Sequence, residues 1–185
     1  THSGVLSSSL AMDKELSKKI YMKNNILTPK YLKFSNRNNK NKLKLINYLQ
    51  KKIGFPIVVK PLNEGSSVNV FICNKGNVFT TLRKLNDYGE VLLEKYIPGR
   101  EIQVAILGKK TLGIIELKPT RKFYDYKAKY SADANTEHII PVNMSTRNFK
   151  KINSIAMKAH KILKCRGVSR SDFRFHNNKF YLLEL

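Results

Sequence analysis

Cysteine, histidine and long apolar runs are all scarce in this sequence, and each shortage excludes a class of protein. The two cysteines, Cys73 and Cys165, stand far apart, and neither they nor the four histidines show the spacing of zinc ligands. No apolar run approaches the roughly 20 residues that a membrane-spanning helix needs, and the first residues lack a signal-peptide pattern. Two isolated thiols fit a reducing compartment, so we expect a cytoplasmic protein.

Acidic residues are also few: 13 Asp and Glu stand against 35 Lys and Arg, which gives a formal net charge of +22. A surplus of this size is typical of proteins that bind nucleic acids or anionic membranes. The basic residues are spread over every segment instead of clustering, however, and residues 36–42 form a low-complexity stretch of Asn, Lys and Arg. This pattern favours a lysine-rich composition over a nucleic-acid partner, with part of the charge available to a phosphate-bearing ligand.

Helical and extended patterns alternate along the 185 residues, a length that suits one domain or two small lobes. Apolar spacing predicts helices near 13–24, 42–53, 77–86 and 146–164. Extended patterns predict strands near 30–34, 56–60, 68–73, 91–96, 101–107, 112–117, 167–175 and 180–185. Interspersed elements with late antiparallel strands predict an α+β fold with a lobe boundary near Pro98-Gly99.

Two segments have the composition of a nucleotide site. A strand ending in Lys60 is followed by a Gly/Ser turn over 61–67, in which backbone N–H groups can form a nest for an anion. The lysine adds a positive charge to such a nest. An ordinary hairpin is the alternative interpretation.

The second segment surrounds an apolar turn flanked by Glu94 and Glu101. Backbone groups near Lys95 and Ile97 would meet an adenine edge, and a carboxylate would meet the ribose hydroxyls. A solvated turn is the alternative here.

The last two predicted strands carry a pair of acids, Asp172 and Glu184, in apolar surroundings that favour a shared Mg²⁺ over exposed cross-strand charges. A tight hairpin centred on Asn177-Asn178 would place Asp172 opposite Leu183, one residue short of Glu184. A shared metal therefore requires a longer loop or a bulge. We predict that Asp172 pairs directly with Glu184, with Arg170 on the same face and a three-residue or bulged turn.

Aromatic residues mixed with Lys and Asp over 123–130 predict an ordered loop that closes over an active site. A surface segment whose aromatics pack on the sheet is the alternative.

Together these segments resemble the D-alanine–D-alanine ligase family of ATP-grasp enzymes, in the order that the family has them. The matching segments are Met12–Lys14, Val59–Val68, Leu93–Glu101, Phe123–Tyr130, Thr136–His138, Cys165–Phe173 and Tyr181–Glu184. The resemblance implies two α+β lobes that clamp ATP, residues 1–97 as the central ATP-binding lobe and 98–185 as the catalytic lobe.

The resemblance also implies a set of site residues. Those expected to bind the nucleotide are Lys14, Lys60, Glu64, Gly65, Ser66, Ser67, Glu94, Lys95, Ile97, Glu101 and Lys129. Those expected to act in catalysis are Arg170, Ser66, Tyr130 and Lys129, and the expected magnesium (or manganese) ligands are Asp172 and Glu184.

The reaction that the resemblance implies joins two D-alanines for peptidoglycan synthesis. ATP phosphorylates the first carboxylate, and the amine of the second D-alanine attacks the resulting acyl phosphate. The implied partners are D-alanine substrates, with neither nucleic acid nor membrane, and the full-length enzyme could be a homodimer.

Some features depart from the family pattern. Asn69 stands where the family commonly has Gly, which would stiffen or alter the loop. The family also has an N-terminal domain and a final Asn-Thr-x-Pro-Gly segment, so we expect this chain to be a fragment. An ATP-grasp ligase with D-lactate as acceptor is an alternative that Tyr130 disfavours, and a basic non-enzymatic remnant that binds nucleic acid is a second.

Overall fold

The computed structural model describes residues 2–35, 41–118 and 136–185, which form five α-helices and nine β-strands. The helices are α1 (Val5–Met12), α2 (Lys14–Lys23), α3 (Lys42–Lys52), α4 (Val78–Lys84) and α5 (Thr146–Ile162). The strands are β1 (Tyr31–Ser35), β2 (Ile57–Pro61), β3 (Phe71–Cys73), β4 (Glu90–Lys95), β5 (Arg100–Leu107), β6 (Lys110–Lys118), β7 (Glu137–Ile139), β8 (Val168–His176) and β9 (Lys179–Glu184). Within the described ranges, none of the helices has the length and apolar content to cross a membrane.

The chain divides into two compact units, and the smaller one is Pro29–Tyr96. Its antiparallel sheet has the strand order β1-β4-β2-β3. Helix α3 begins where the Asn41 side chain accepts a hydrogen bond from the Lys44 N–H at 3.0 Å. Its residues Leu45 and Leu49, one turn apart, are buried in a core with Ile57 of the sheet. Burial of each such side chain contributes about 1.5–3 kcal/mol.

The larger unit consists of Thr1–Thr28 and Ile97–Leu185. Its antiparallel sheet has the order β7-β6-β5-β8-β9, so β5 and β8 are neighbours at its centre. Helix α5 is capped by Ser145 and buries a stripe at helical spacing against one face of this sheet: Ile152, Ala156, Ala159 and Leu163. That packing leaves the opposite side-chain row of β5 and β8 available for polar residues.

This division differs from the predicted lobes 1–97 and 98–185, because residues 1–28 group with the larger unit. Tyr21 and Ile26 are buried in the same core as Phe173, and the Leu182 N–H donates to the Leu27 carbonyl at 2.8 Å. These are contacts between residues distant in the chain, which no local pattern reveals.

The predicted helices and strands are largely present, with differences at their ends. The predicted strand 68–73 begins only at Phe71, because residues 66–69 form a turn. The predicted helix 13–24 is preceded by a separate helix, α1, and Asp13 caps α2 by accepting from two backbone N–H groups at 2.9 Å. The short strand β7 was not predicted, since three residues carry too little pattern.

Candidate active site

The two carboxylates predicted to share a metal are direct cross-strand partners. Asp172 of β8 lies opposite Glu184 of β9, whereas Phe173 lies opposite Leu182, so the register shifts and Leu183 is the extra residue. The predicted pairing is confirmed. The bulge that this pairing required in the hairpin is present, but its predicted place at the turn is wrong, because Asn177-Asn178 makes a tight two-residue turn with φ of 47° and 57°. Asn tolerates this left-handed conformation, so the irregularity moves from the turn into the strand.

Three cross-strand pairs on β5 and β8 form one polar row, since alternate residues of a strand share a face. The pairs are Glu101 with Arg174, Gln103 with Asp172, and Ala105 with Arg170. The Gln103 amide donates to Asp172 Oδ2 at 3.3 Å. The row therefore joins a residue predicted to bind the nucleotide to the residues predicted to bind metal and to act in catalysis.

Arg170 and Asp172 are held together by two parallel hydrogen bonds. Arg170 Nε lies 2.8 Å from Oδ1 of Asp172, and Nη2 lies 2.9 Å from Oδ2. The Asp172 side chain is buried, whereas the Arg170 side chain is 55% exposed. This fork satisfies a buried carboxylate and leaves part of the guanidinium facing solvent, where it can meet an anionic group.

These carboxylates fit a magnesium ion by their chemistry. Mg²⁺ takes oxygen ligands, usually one or two carboxylates completed by water and substrate phosphates. Asp172 and Glu184 supply carboxylate oxygens at one register position. Among the described residues, no group of three or more His, Cys, Asp or Glu could hold a metal.

In the smaller unit, Lys60 of β2 and Glu94 of β4 form a buried ion pair. The distance from Lys60 Nζ to Glu94 Oε1 is 2.7 Å, and the residues are only 6% and 3% exposed. The sequence predicted that Lys60 contacts phosphate and Glu94 contacts adenosine. The structure pairs the two charges in a buried position. Removal of either side chain would leave the other charge buried without this partner, which is costly.

Lys95 is tied into the same unit by both its backbone and its side chain. Its backbone N–H donates to the Lys30 carbonyl at 2.8 Å, and Nζ donates to the carbonyls of Gly54 and Phe55 at 3.2 and 2.8 Å. Ile97, predicted to contact the same adenine, belongs to the larger unit.

The predicted phosphate loop has a turn with several left-handed residues. Ser66, Ser67 and Asn69 have φ of 53°, 58° and 53°, and Glu64 and Gly65 are exposed. Asn69 thus adopts a backbone conformation that glycine favours. Its side chain donates to the Tyr88 hydroxyl at 2.7 Å, which ties the loop to the turn before β4.

Helix α2 presents two buried lysines. Lys14, predicted to contact phosphate, is its first residue, and Lys18 lies one turn later, fully buried, with Nζ donating to Thr28 Oγ1 at 2.7 Å. Burial raises the pKa of the neighbouring Tyr21 hydroxyl. The predicted residues Lys129 and Tyr130, and the predicted loop 123–130, lie outside the described residues.

Sequence reasoning missed Gln103 and Arg174 as members of the polar row. The available signal was their spacing, since Gln103 is two residues from Glu101, and Arg174 is two residues from Asp172. Glu116 of β6 pairs with Arg100 of β5, whose Nε donates to Glu116 Oε1 at 2.8 Å.

Comparison with known proteins shows the family to which this chain is related. The family model "D-ala D-ala ligase C-terminus" matches residues 20–185. The D-alanine–D-alanine ligase of Pelagibacter ubique is 60% identical over the whole chain, which spans 60% of that relative. The enzyme of the same name from Wolbachia pipientis is 39% identical, and the chain spans 58% of it.

Solved structures agree with the sequence comparison. A D-alanine–D-alanine ligase from Bacillus anthracis superposes with a TM-score of 0.83 at 34% identity, covering all of this chain and 59% of that one. A structure of the Bacillus anthracis enzyme complexed with ATP gives a TM-score of 0.79 at 32% identity, covering all of this chain and 58% of that one. The fold is therefore the predicted α+β ATP-grasp fold. The chain belongs to the D-alanine–D-alanine ligase C-terminus family.

Proposed function

We propose that this chain is part of an ATP-dependent, ADP-forming ligase that joins two D-alanines for peptidoglycan synthesis in the cytoplasm. The observation that carries the proposal is the direct pairing of Asp172 with Glu184 beside Arg170. Relatives that bear the name D-alanine–D-alanine ligase support the substrate assignment, and a similar structure complexed with ATP supports the nucleotide. Because the chain spans about 60% of the first relative's length, the activity is proposed for the whole protein.

Asp172 and Glu184 would hold Mg²⁺. When bound, the ion would neutralise phosphate charge during phosphoryl transfer. The nucleotide would be bound by Lys14, Lys60, Glu94, Lys95, Ile97 and Glu101, with Glu64, Gly65, Ser66 and Ser67 covering the phosphates. By the resemblance alone, Ser66 would also reach the substrate side, and Lys129 and Tyr130 would lie on a mobile loop, with Lys129 towards the γ-phosphate.

In the proposed reaction a carboxylate oxygen of the first D-alanine attacks the γ-phosphorus of ATP, which forms an acyl phosphate and releases ADP. The amine of the second D-alanine then attacks the acyl carbon, loses a proton, and expels inorganic phosphate. The exposed part of the Arg170 guanidinium would bind the substrate carboxylate and then stabilise the oxyanion of the tetrahedral intermediate.

A calorimetric titration tests the metal assignment. We expect Mg²⁺ to strengthen ADP binding by the purified chain, and Glu184→Gln to remove most of that enhancement while ADP binding without Mg²⁺ persists. Glu137→Gln is the matched control, because Glu137 is an exposed carboxylate of the same sheet that pairs with Lys118. An unchanged Mg²⁺ enhancement in Glu184→Gln would remove Glu184 from the metal site.

A further inference from the structure

The polar row contains an ion pair between Glu101 and an arginine, Arg174, that has no role in the proposed function. Arg174 and Glu101 are direct partners across β8 and β5, and the residues are only 9% and 8% exposed. Arg174 Nη2 lies 2.8 Å from Glu101 Oε2. Two opposite charges buried at one register position constrain each other's orientation, because desolvation makes any rearrangement that separates them costly.

The same guanidinium also binds the turn that leads into β5. Arg174 Nη1 donates to the Gly99 carbonyl at 3.1 Å. Gly99 has a φ of 100°, and a Cβ on it would come within 2.3 Å of the Phe175 carbonyl oxygen, so the turn lies directly against β8. Arg174 therefore bridges a fixed backbone carbonyl and a carboxylate with a planar fork that has little freedom to rotate.

We propose that Arg174 is a positioning residue for ribose recognition, which orients the Glu101 carboxylate and keeps it ionised so that it accepts hydrogen bonds from the ribose hydroxyls. The inference rests on the proposed function, in which Glu101 is one of the residues that bind the nucleotide, and it assigns the ribose to this carboxylate. An ionised carboxylate is an acceptor only, with about four lone-pair sites. One N–H of Arg174 uses part of that capacity, and a vicinal diol offers two O–H donors to an acceptor of this kind.

The charge of Arg174 matters as much as its shape. A carboxyl group in a poorly solvated site favours its neutral form unless an opposite charge lies within about 4–6 Å. A neutral carboxyl has an O–H donor in place of part of its acceptor capacity, so it would accept fewer hydrogen bonds from the ribose hydroxyls. The guanidinium at 2.8 Å supplies the required opposite charge.

A purely structural role for Arg174 predicts a different outcome. If the pair only joined β5 to β8, its loss would weaken the binding of every nucleotide equally. A positioning role predicts that the loss is confined to nucleotides with ribose hydroxyls. The ratio of the Kd values for 2′,3′-dideoxy-ADP and ADP separates the two roles.

Titration calorimetry of the purified chain with Mg·ADP and Mg·2′,3′-dideoxy-ADP measures this ratio. For wild type we expect it to be about 10–100, the range for losing hydrogen bonds to a charged group. Arg174→Leu should lower it to about 1, and Arg174→Lys, which keeps a charge but not the fork, should lower it at least about threefold. Arg100→Leu is the matched control: it removes a neighbouring Arg–Glu pair, between Arg100 of β5 and Glu116 of β6, and should keep the wild-type ratio.

Glu101→Gln shows which part of the argument fails. If Glu101→Gln lowers the ratio while folded Arg174 variants keep the wild-type value, the positioning role is overturned and the ribose assignment stands. If Glu101→Gln keeps the wild-type ratio, the assignment of Glu101 to ribose is wrong and the inference is overturned with it. Thermal unfolding identifies the folded variants, and Arg174→Lys decides the question if Arg174→Leu does not fold.

Discussion

At the residue scale, the candidate site consists of charged side chains that form ion pairs with one another within the protein. Arg170 holds Asp172, Arg174 holds Glu101, and Lys60 pairs with Glu94. Residue types and the family resemblance predicted most of these positions. The pairing itself could not be predicted, because it depends on which strands become neighbours. Gln103 was missed for the same reason, since its importance comes from Asp172 on the adjacent strand.

The pair of Lys60 and Glu94 gives a stability prediction that is independent of nucleotide binding. Replacing Lys60 by Met leaves the Glu94 carboxylate buried without its lysine partner, so the free energy of unfolding should fall by about 3–5 kcal/mol. Urea denaturation measures this change. The double variant Lys60→Met/Glu94→Leu should recover most of the loss, because it buries no charge at this pair.

Lys33→Met is the control for this prediction, because Lys33 forms an exposed ion pair with Glu90 on the same sheet. Its loss should cost less than about 1 kcal/mol. A Lys60→Met effect as small as that of Lys33→Met would contradict the assignment of a structurally important buried pair.

At the scale of elements, local patterns predicted those structures whose signal is contained in one segment. The apolar spacing of 146–164 predicted α5, and the extended pattern over 180–185 predicted β9. The position of the register shift was harder to predict. Two asparagines can form a tight turn, so the extra residue had to lie elsewhere, and only the strand pairing places it at Leu183. The grouping of α1 and α2 with the larger unit likewise depends on long-range packing.

One buried histidine between two elements makes stability depend on pH. His160 of α5 lies with Nδ1 at 2.7 Å from Ser169 Oγ of β8, and burial lowers the pKa of its imidazole. The unfolded chain therefore takes up this proton first as the pH falls through about 6.5, the ordinary value. The stability associated with His160 is complete above about pH 6.5 and is lost as the pH falls through the lower, folded-state value.

Urea denaturation at several pH values tests this dependence. The stability difference between wild type and His160→Gln should be largest above about pH 6.5 and should shrink in more acidic buffer. Ser169→Ala is the control: it removes the hydroxyl but keeps the buried imidazole, so it should retain the pH dependence of wild type. A difference between wild type and His160→Gln that stays constant with pH would rule out this explanation.

At the scale of the whole molecule, the predicted site residues are distributed over both compact units. Lys60, Glu64 and Glu94 belong to the smaller unit, whereas Arg170 and Asp172 belong to the larger one. The family resemblance predicts a fold in which two lobes bind one nucleotide, and that nucleotide site stays a prediction. Net charge alone would have predicted a nucleic-acid-binding protein, because a net charge of +22 is typical of that class.

The central claim is that Asp172 and Glu184 together hold the divalent ion of a phosphoryl-transfer site. A crystal structure of the chain with Mn²⁺ and ADP tests it most directly, because Mn²⁺ accepts the same oxygen ligands and gives an anomalous signal. We predict an anomalous peak within about 2.0–2.3 Å of an oxygen from each of the two carboxylates, with the ADP phosphates completing the coordination. A well-ordered Mn²⁺·ADP complex in which the metal contacts neither Asp172 nor Glu184 would contradict the account.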